Sequence, residues 1–364
     1  MRWRRRILAI GLAALLALGA LLITARLLPL PARLYVSDSD VIEYADGTVA
    51  HVFLSPDGMW RVAIEPGRDG QLLRVDAAYL TALLRLEDKR FYQHRGIDGL
   101  AVTRALFKNL ARGRVVSGAS TLTMQLARLL EPRPRSLAAK LRQAFVALQL
   151  ELRLDKSQIL AAYLRFLPFG RNIEGIEAAA LSYFGHGAAA LSADEIATLL
   201  AVPQDPGHRH PSAENAARLR RARDRIAARL VEQKALLPEQ PPAEVLSRVR
   251  AAAVPSQLQP FPRHAAHAAV YLQKQLSRDR RSRVSSTLAL GTQRLAERVL
   301  QAARPELLRH GIYNAALVLV EKRTAAVRAL VGNFDFWDLQ HGGQIAGFAT
   351  PRSPGSALKP FIYA

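Results

Sequence analysis

The first residues that could carry chemistry are two adjacent carboxylates, Glu87 and Asp88, at the end of an apolar stretch. They are followed by Arg90 and His94, and then by a glycine turn. A carboxylate at the end of an apolar helix is partly shielded from water, which favours general acid or base catalysis. Structural ion pairs are the commoner use of such residues, so the pattern leaves both interpretations open.

A second candidate site is the string Gly118-Ala119-Ser120-Thr121, which precedes a predicted helix. Backbone N–H groups and hydroxyls at a helix start can bind a pyrophosphate. Ordinary N-capping explains Ser120 and Thr121 equally well, so this string alone does not identify a binding site.

Near the end of the sequence, Ser356 and Lys359 form a Ser-x-x-Lys string. A lysine three residues after a serine shares its helical face and can take its proton, as an acyl-transferring nucleophile requires. The string indicates such a nucleophile only together with its Arg-Ser-Pro-Gly context and with the strand-like runs Ala315–Val320 and Ala326–Val331 before it.

Composition limits what surrounds these residues. The 364 residues include 51 Lys and Arg against 30 Asp and Glu, a net charge of +21, and no cysteine. The lack of cysteine excludes a disulfide scaffold, a zinc ribbon, an iron–sulfur site and a thiol nucleophile. The positive charge predicts an anionic partner, which could be nucleic acid, a lipid surface or a phosphorylated substrate.

The N-terminus favours the lipid surface. Four arginines precede an apolar run from Ile7 to Ala25, which is long enough to span a bilayer and longer than most signal-peptide cores. The run has no clean cleavage site at its end, so we expect an uncleaved single-pass anchor rather than a cleaved signal peptide. The positive-inside rule places everything after Arg26 outside the cytoplasm.

The rest of the chain changes character three times. Short β structure with an Asp46-Gly47 turn comes first, and an almost wholly helical pattern then runs from Asp76 to about Lys234. A proline-rich stretch, Pro238 to Pro262, separates this helical region from the strand-like runs near the end. We therefore predict a mainly α domain followed by the start of another domain.

Two strings in the helical region, Glu87–Asp98 and Gly118–Gln125, resemble the peptidoglycan glycosyltransferase domain of class A penicillin-binding proteins. The resemblance runs in the same order from about residue 75 to 235, and the combined pattern is specific although no single fragment is. Further matching positions are Lys140, Leu150-Glu151, Phe169-Gly170, Gly175-Ile176, Tyr183-Phe184-Gly185 and Pro203–Pro206.

This resemblance implies a lysozyme-like, mainly α glycosyltransferase domain whose hydrophobic jaw, at Val102–Val115, dips into the membrane. It implies that an α/β penicillin-binding transpeptidase domain begins after it. The predicted segments are 1–6, cytoplasmic tail; 7–25, transmembrane anchor; 31–70, small β segment; 71–235, glycosyltransferase domain; 236–284, linker; and 285–364, N-terminal fragment of the transpeptidase domain.

The resemblance also implies the chemistry, which is polymerisation of lipid II into β-1,4 glycan strands with release of undecaprenyl diphosphate. Glu87 would be the general base that deprotonates the acceptor 4-hydroxyl, and Lys140 would stabilise the leaving diphosphate. In the second domain Ser356 would be the acyl-ester nucleophile and Lys359 its base partner. The substrate-binding residues implied are Asp88, Arg90, His94, Ser120, Thr121, Gln125, Arg128, Lys140 and Gln143.

Three positions depart from the family pattern. Gln143 stands where the family has an acidic residue, and Ala139 and Arg165 replace an arginine and an asparagine. A carboxamide cannot bind a metal as a carboxylate would. No cofactor is therefore certain, and a divalent metal, Mg²⁺ or Mn²⁺, is an alternative that Gln143 weakens. Glu151 is expected to be structural.

The sequence stops at Ala364, shortly after Lys359, before any Ser-x-Asn or Lys-Thr-Gly element. We therefore expect the transpeptidase part to be truncated and inactive in this chain. The expected partners are lipid II, the growing glycan chain and the bacterial inner membrane, with the catalytic part on the periplasmic side. Other cell-wall synthesis proteins are further candidate partners, and nucleic acid is not expected.

Two alternatives stay open. A basic nucleic-acid-binding protein would use the arginine cluster Arg218–Arg229, but export beyond a membrane anchor would remove its usual partner. A lysozyme-like lytic enzyme would share a catalytic glutamate but would attack with water, and it would not need Lys140 or a lipid-facing jaw.

Overall fold

The computed structural model describes residues 2–67, 72, 74–112, 120–134, 136–279, 282–351, 353 and 355–363. The chain forms two compact units. The first, the helical unit, comprises residues 1–38 and 55–260, and the second, the mixed unit, comprises residues 39–54 and 261–364.

The helical unit confirms the expectation of a mainly α domain that follows an N-terminal apolar helix. Its helices are α1 (Arg2–Leu27), α2 (Ala77–Glu87), α3 (Gly99–Arg112), α4 (Leu122–Leu130), α5 (Leu137–Glu151), α6 (Lys156–Phe166), α7 (Ile176–Phe184), α8 (Ala193–Ala201), α9 (Pro206–Arg209), α10 (Ala216–Glu232) and α11 (Pro242–Ala251). Two short strands of this unit, β3 (Trp60–Arg61) and β4 (Ile173–Glu174), pair in parallel.

Local capping sets the helix starts that matter for the site. The Asp76 carboxylate accepts a hydrogen bond from the Ala78 amide at 2.7 Å, and α2 begins there. Asp155 forms a capping box with Gln158, and Ser192 forms one at the start of α8. Each cap satisfies amides that have no partner within their own helix, so these boundaries follow from the sequence.

The core of the helical unit lies between α4, α6, α7 and α8. Leu122 and Leu126 of α4 and Ile159 and Phe166 of α6 are among its fully buried side chains. The two leucines are four residues apart, and Ile159 and Phe166 are seven apart, so each pair lies on one face of its helix. Helices α6 and α7 are buried on nearly all sides.

Helix α1 is mostly exposed and apolar. The stretch Ile10–Tyr35, which begins inside α1, has a mean hydropathy of 2.1, so by length and composition it could cross a membrane. The end of α1 is attached to α5: Arg153 donates to the carbonyls of Ala25, Arg26 and Leu28, and Gln149 donates to that of Leu28 at 3.2 Å. These bonds satisfy carbonyls that a helix end leaves without partners.

The mixed unit is built on non-local strand pairing. Its strands are β1 (Val41–Glu43), β2 (Val49–Val52), β5 (Arg283–Ser285), β6 (Leu317–Val320) and β7 (Val327–Val331), and its helices are α12 (Ala266–Asp279), α13 (Leu290–Arg309) and α14 (Lys359–Tyr363). β1 pairs antiparallel with β2 and parallel with β5, and β6 pairs antiparallel with β7. Gly47, at a φ of +83°, makes the predicted hairpin turn.

The structure divides the segment 31–70 that the sequence presents as one piece. The hairpin of β1 and β2 belongs to the mixed unit because β1 pairs with β5, whereas β3 belongs to the helical unit because it pairs with β4. The predicted linker 236–284 likewise contains two whole helices, α11 and α12. Strand partners so far apart in the chain give no signal in a local pattern.

Candidate active site

Glu87 is the last residue of α2, because Asp88 leaves helical geometry at φ −155° and ψ 80°. The amide Nε2 of Gln125, on α4, donates to Glu87 Oε2 at 3.0 Å. The hydroxyl of Tyr163, on α6, donates to Gln125 Oε1 at 3.2 Å. Three helices therefore bring together a chain of three polar side chains that ends on the candidate base.

The chemistry of the groups fixes the direction of this chain. An ionised carboxylate only accepts hydrogen bonds, so Gln125 must present its NH₂ group to Glu87. The carbonyl oxygen of the same amide then faces Tyr163, whose hydroxyl must donate. Because Tyr163 can supply that proton, Gln125 is held in the orientation that contacts the carboxylate.

Two buried tyrosines lie close to Glu87. Burial raises the pKa of Tyr163 well above its usual value, and the negative charge of Glu87 raises it further. Burial and the same charge also raise the pKa of Tyr79. Both hydroxyls therefore keep their protons, and the Tyr79 hydroxyl has no hydrogen-bond partner among the residues that the structure describes.

Glu87 lines two cavities. The first, of 270 Å³, has Gln125 and Arg128 as polar members and an apolar wall that includes Leu129 and Leu199. The second, of 380 Å³, also contains Ser120, Thr121 and five basic side chains, which are Arg85, Lys89, Arg90, Arg104 and Arg229. The candidate base therefore faces one cleft with both polar and apolar walls and one cationic cleft, in which five basic side chains outnumber three acidic ones.

Asp88 and His94 point inward and contact each other. The Asp88 carboxylate accepts from the Leu122 amide at 3.0 Å and lies 3.1 Å from His94 Nε2. Both side chains are nearly inaccessible to solvent. In this arrangement Asp88 fixes the start of α4, and through α4 it fixes the position of Gln125 relative to Glu87.

Arg90 lines the cationic cleft but already has an anionic partner. It makes a two-point ion pair with Asp98, with Nε 3.0 Å from Oδ2. Burial raises the pKa of Asp98, but the Ala101 amide and Arg90 outweigh it and hold that pKa below its usual range. Asp98 also begins α3 through the Ala101 amide, at 2.8 Å. Arg90 therefore connects the candidate base region to α3.

The two hydroxylated residues before α4 have different surroundings. Thr121 is buried, caps α4 by accepting from the Met124 amide at 3.1 Å, and donates to the Gly96 carbonyl. Ser120 is only partly buried and accepts from Lys140 Nζ at 2.5 Å. The structure therefore brings Lys140 to Ser120 and leaves Thr121 as a cap.

Lys140 is close to a second cation. Partial burial of its ammonium and the positive charge of Arg128 both lower the pKa of Lys140. The positive charges of Lys140 and Arg128 repel each other, and a bound diphosphate would neutralise both, so this pair suits a diphosphate.

Gln143 lies one turn after Lys140 on α5 and is half-buried. The nearby Glu151 is held by Thr123 Oγ1 at 2.6 Å and Lys156 Nζ at 2.7 Å, as expected of a structural residue. Within the described part of the chain, no group of three His, Asp or Glu side chains converges as metal ligands would. A helix that offers an ammonium and a carboxamide here, and no carboxylate, does not fit a divalent cation.

The predicted jaw corresponds to α3, where Leu100, Val102 and Phe107 are exposed and apolar. Residues 113–115 of the predicted jaw lie outside the described residues. In the mixed unit, Ser356 lies in a short helical turn, Gly355–Leu358, and Lys359 begins α14. Both of these side chains are exposed.

The sequence reasoning missed three residues of the site. Tyr163 and Tyr79 gave no signal, because a tyrosine on an apolar helix face is indistinguishable from a core residue. Arg229 was visible only as one member of the arginine cluster on α10, and its position in the cationic cleft became apparent from the fold.

Comparison with known proteins identifies the class of this domain. Residues 69–231 match the family model described as transglycosylase. This range contains Glu87, Gln125, Lys140 and Tyr163, so the chain of polar side chains belongs to a transglycosylase domain.

The relatives narrow the class further. The chain is 35% identical over 340 residues to penicillin-binding protein 1C of Escherichia coli K12, which covers 93% of this chain and 42% of that protein. It is 38% identical over 162 residues to penicillin-binding protein 1A of Aquifex aeolicus, covering 44% and 22% of the two chains. A crystal structure of penicillin-binding protein 1A from Haemophilus influenzae aligns with a TM-score of 0.31 and 18% identity, over 80% of this chain and 33% of that one.

Residues 69–231 thus match a transglycosylase domain, and the chain is similar in sequence to class A penicillin-binding proteins, among them penicillin-binding protein 1C. It spans less than half the length of these curated relatives. The Met124-Gln125 pair and the Arg-Ser-Pro-Gly-Ser string at residues 352–356 are the motifs that favour the 1C type.

Proposed function

We propose that the helical unit polymerises lipid II into β-1,4 glycan strands and releases undecaprenyl diphosphate. The observation that supports this most strongly is that Glu87 lines two separate cavities. A polymerising transferase must hold a donor and an acceptor sugar on either side of one base, and two cavities that share Glu87 provide room for both. Both substrates of this reaction are lipid diphosphates, and both cavities contain cationic side chains.

Glu87 acts as the general base in the proposed reaction. Its carboxylate takes the proton of the acceptor 4-hydroxyl, and the oxygen forms a bond to C1 of the donor sugar. The bond from C1 to the diphosphate oxygen breaks, and its electron pair leaves on undecaprenyl diphosphate. Gln125 holds the carboxylate by a hydrogen bond at 3.0 Å, so the base does not have to be oriented during the reaction.

Lys140 and Arg128 stabilise the leaving diphosphate. Lys140 is fixed by Ser120, and it shares a positive field with Arg128 that a departing dianionic group would neutralise. The side chain of Arg229 supplies a further cation to the cleft on the other face of Glu87.

We also propose that α1 anchors the chain in the cytoplasmic membrane of a bacterium, with the helical unit on the periplasmic side. The arginines at the start of α1 favour a cytoplasmic N-terminus. The exposed apolar side chains of α3 would then meet the bilayer surface, where both lipid substrates reside.

The test is lipid II polymerisation by the full chain and by Glu87→Gln, with Glu239→Gln as a matched change at an exposed glutamate. We expect glycan strands from the wild type and from Glu239→Gln, and at least a hundredfold lower rate from Glu87→Gln. Equal rates for the wild type and Glu87→Gln would show that Glu87 is not the base. Degradation of purified glycan without polymer from lipid II would instead identify a lytic enzyme.

A further inference from the structure

The segment that follows the anchor helix contacts the catalytic helices through charged side chains. Arg33 donates to the Leu129 carbonyl at 2.6 Å, pairs with Glu174, and lies 5.7 Å from the ring centre of Phe166. Leu129 lies in the last turn of α4, where helix carbonyls have no partner within the helix. Arg33 therefore caps α4 from outside and places a positive charge at the negative end of its dipole.

Arg165 makes the complementary attachment from α6. It donates to the Asp38 carboxylate at 2.6 Å and to the Leu34 carbonyl at 2.9 Å, and it also contacts the Val36 carbonyl. Its guanidinium lies 4.6 Å from the ring centre of Phe166, the same ring that Arg33 approaches. Arg33 of the segment thus binds the end of α4, and Arg165 of α6 binds the segment.

The buried Arg61 makes further contacts with the same segment and with Glu174, the partner of Arg33. Its guanidinium is fully buried, lies 2.6 Å from Glu174 and 2.7 Å from Asp57, and donates to the Ser37 carbonyl at 2.9 Å. Losing one partner of such a buried network would leave another charge without compensation. Residues 33–38 are therefore held in one conformation rather than forming a loose tether.

The two attached helices are the ones that orient the candidate base. Helix α4 carries Gln125, and α6 carries Tyr163 only two residues before Arg165. The hydrogen bond between them, at 3.2 Å, is near the upper end of the normal range, so a shift of about 0.5 Å between the helices would break it.

We propose that residues 33–38 form a brace that sets the spacing of α4 and α6, and that Arg33 and Arg165 are positioning residues for Glu87. The proposal rests on the proposed function of the helical unit. Under this proposal the segment that joins the anchor helix to the catalytic helices is part of the catalytic apparatus and is not only a linker. It also gives a role to Arg165, which stands where the family usually has asparagine.

A double-mutant cycle on the full chain tests the brace. The variants are Arg33→Met, Tyr163→Phe and the double variant, and Arg250→Met is the matched change at an exposed arginine. We expect Arg33→Met to lower kcat about tenfold with little change in KM for lipid II, and Arg250→Met to change neither. In the Tyr163→Phe background, Arg33→Met should cost less than about twofold, because the contact that it positions is already lost.

The same loss of kcat in both backgrounds would overturn the proposal, since a general loss of stability would be additive. A rise in KM at constant kcat would also overturn it, because that would indicate substrate binding rather than positioning. If Arg33→Met does not fold, Asp38→Asn loosens the Arg165 end of the brace with minimal loss of packing, and the cycle is repeated with it. A wild-type chain that makes no glycan from lipid II contradicts the proposed function, whereas unchanged variants of an active chain contradict only the brace.

Discussion

In the proposed mechanism the hydroxyl of Tyr163 donates to Gln125 and exchanges no proton with the substrate, yet its removal should impair catalysis. Tyr163→Phe deletes one oxygen that donates to Gln125 Oε1 at 3.2 Å and leaves the ring in its buried position. The Gln125 amide then lacks the donor that determines which of its ends faces Glu87. An amide that turned over would present its oxygen to the carboxylate, which is repulsive.

The size of the effect follows from two contributions. A buried acceptor left without a donor costs about 1–3 kcal/mol, and a hydrogen bond to a charged group contributes about 1.5–3 kcal/mol. If about 1.4–2.8 kcal/mol of this is lost at the transition state, kcat/KM falls by about 10- to 100-fold. Most of the loss should appear in kcat, because Tyr163→Phe keeps the ring that lines the first cavity and removes only the hydroxyl that orients Gln125.

The chain provides a close control in Tyr183. This residue is also buried in the helical unit, and its hydroxyl donates to the Phe169 carbonyl, but it lines neither cavity beside Glu87. Tyr183→Phe removes the same atom and should lower the free energy of unfolding by about 1 kcal/mol. Its initial rate of lipid II polymerisation, well below the melting temperature, should equal that of the wild type.

Two outcomes would refute the reasoning. A Tyr163→Phe variant with wild-type kcat would show that Gln125 is oriented by something else. An equal loss of kcat in Tyr183→Phe would show that any weakening of the helical unit slows the reaction. Thermal unfolding of both variants, measured in parallel, separates stability from orientation.

Three further predictions follow from the charged and exposed residues. Arg229→Gln should raise KM for lipid II about three- to tenfold at constant kcat, because it removes a cation from the cationic cleft. Arg220→Gln on the same helix should leave KM unchanged in the same assay, and a lower kcat in Arg229→Gln would contradict a role in binding. Because the pKa of Lys140 is lowered, this lysine loses its charge at a lower pH than an ordinary lysine, and the polymerisation rate should decline on the alkaline side. Lys140→Arg should extend activity to higher pH, and identical pH–rate profiles for the two proteins would argue against Lys140 as the diphosphate-binding group. Ser356 and Lys359 are exposed, whereas a stable acyl-enzyme needs a serine in a site that excludes water. Fluorescent penicillin should therefore not label this chain, and labelling that disappears in Ser356→Ala would contradict the expectation.

Features set by neighbouring residues could be predicted from the sequence. Asp76 caps the helix at which the helical pattern was expected to begin, Asp155 and Ser192 cap α6 and α8 in the same way, and the Asp46-Gly47 turn closes the hairpin of β1 and β2. In each case the interacting groups lie within four residues, so a short window contains both partners. The same holds for the apolar run that forms α1.

The roles of the side chains around Glu87 could not be predicted in this way. A motif places Asp88, Thr121 and Gln125 near the base but does not say which of them faces the cleft. Asp88 turns to the start of α4, Thr121 turns to Gly96, and Gln125 turns to Glu87 itself. These directions depend on how α2, α4 and α6 pack, and packing joins groups more than thirty residues apart.

By itself, the sequence determined that this chain has a membrane-length apolar helix, a capped helical domain and a glutamate at the end of one of its helices, because local periodicity and short-range hydrogen bonds specify such features. Only the tertiary structure decided that Tyr163 orients Gln125, that Arg229 enters the cleft and that Arg33 reaches α4 from the segment behind the anchor. Those contacts arise when buried faces close on one another, and no local pattern records which distant residue will then stand opposite.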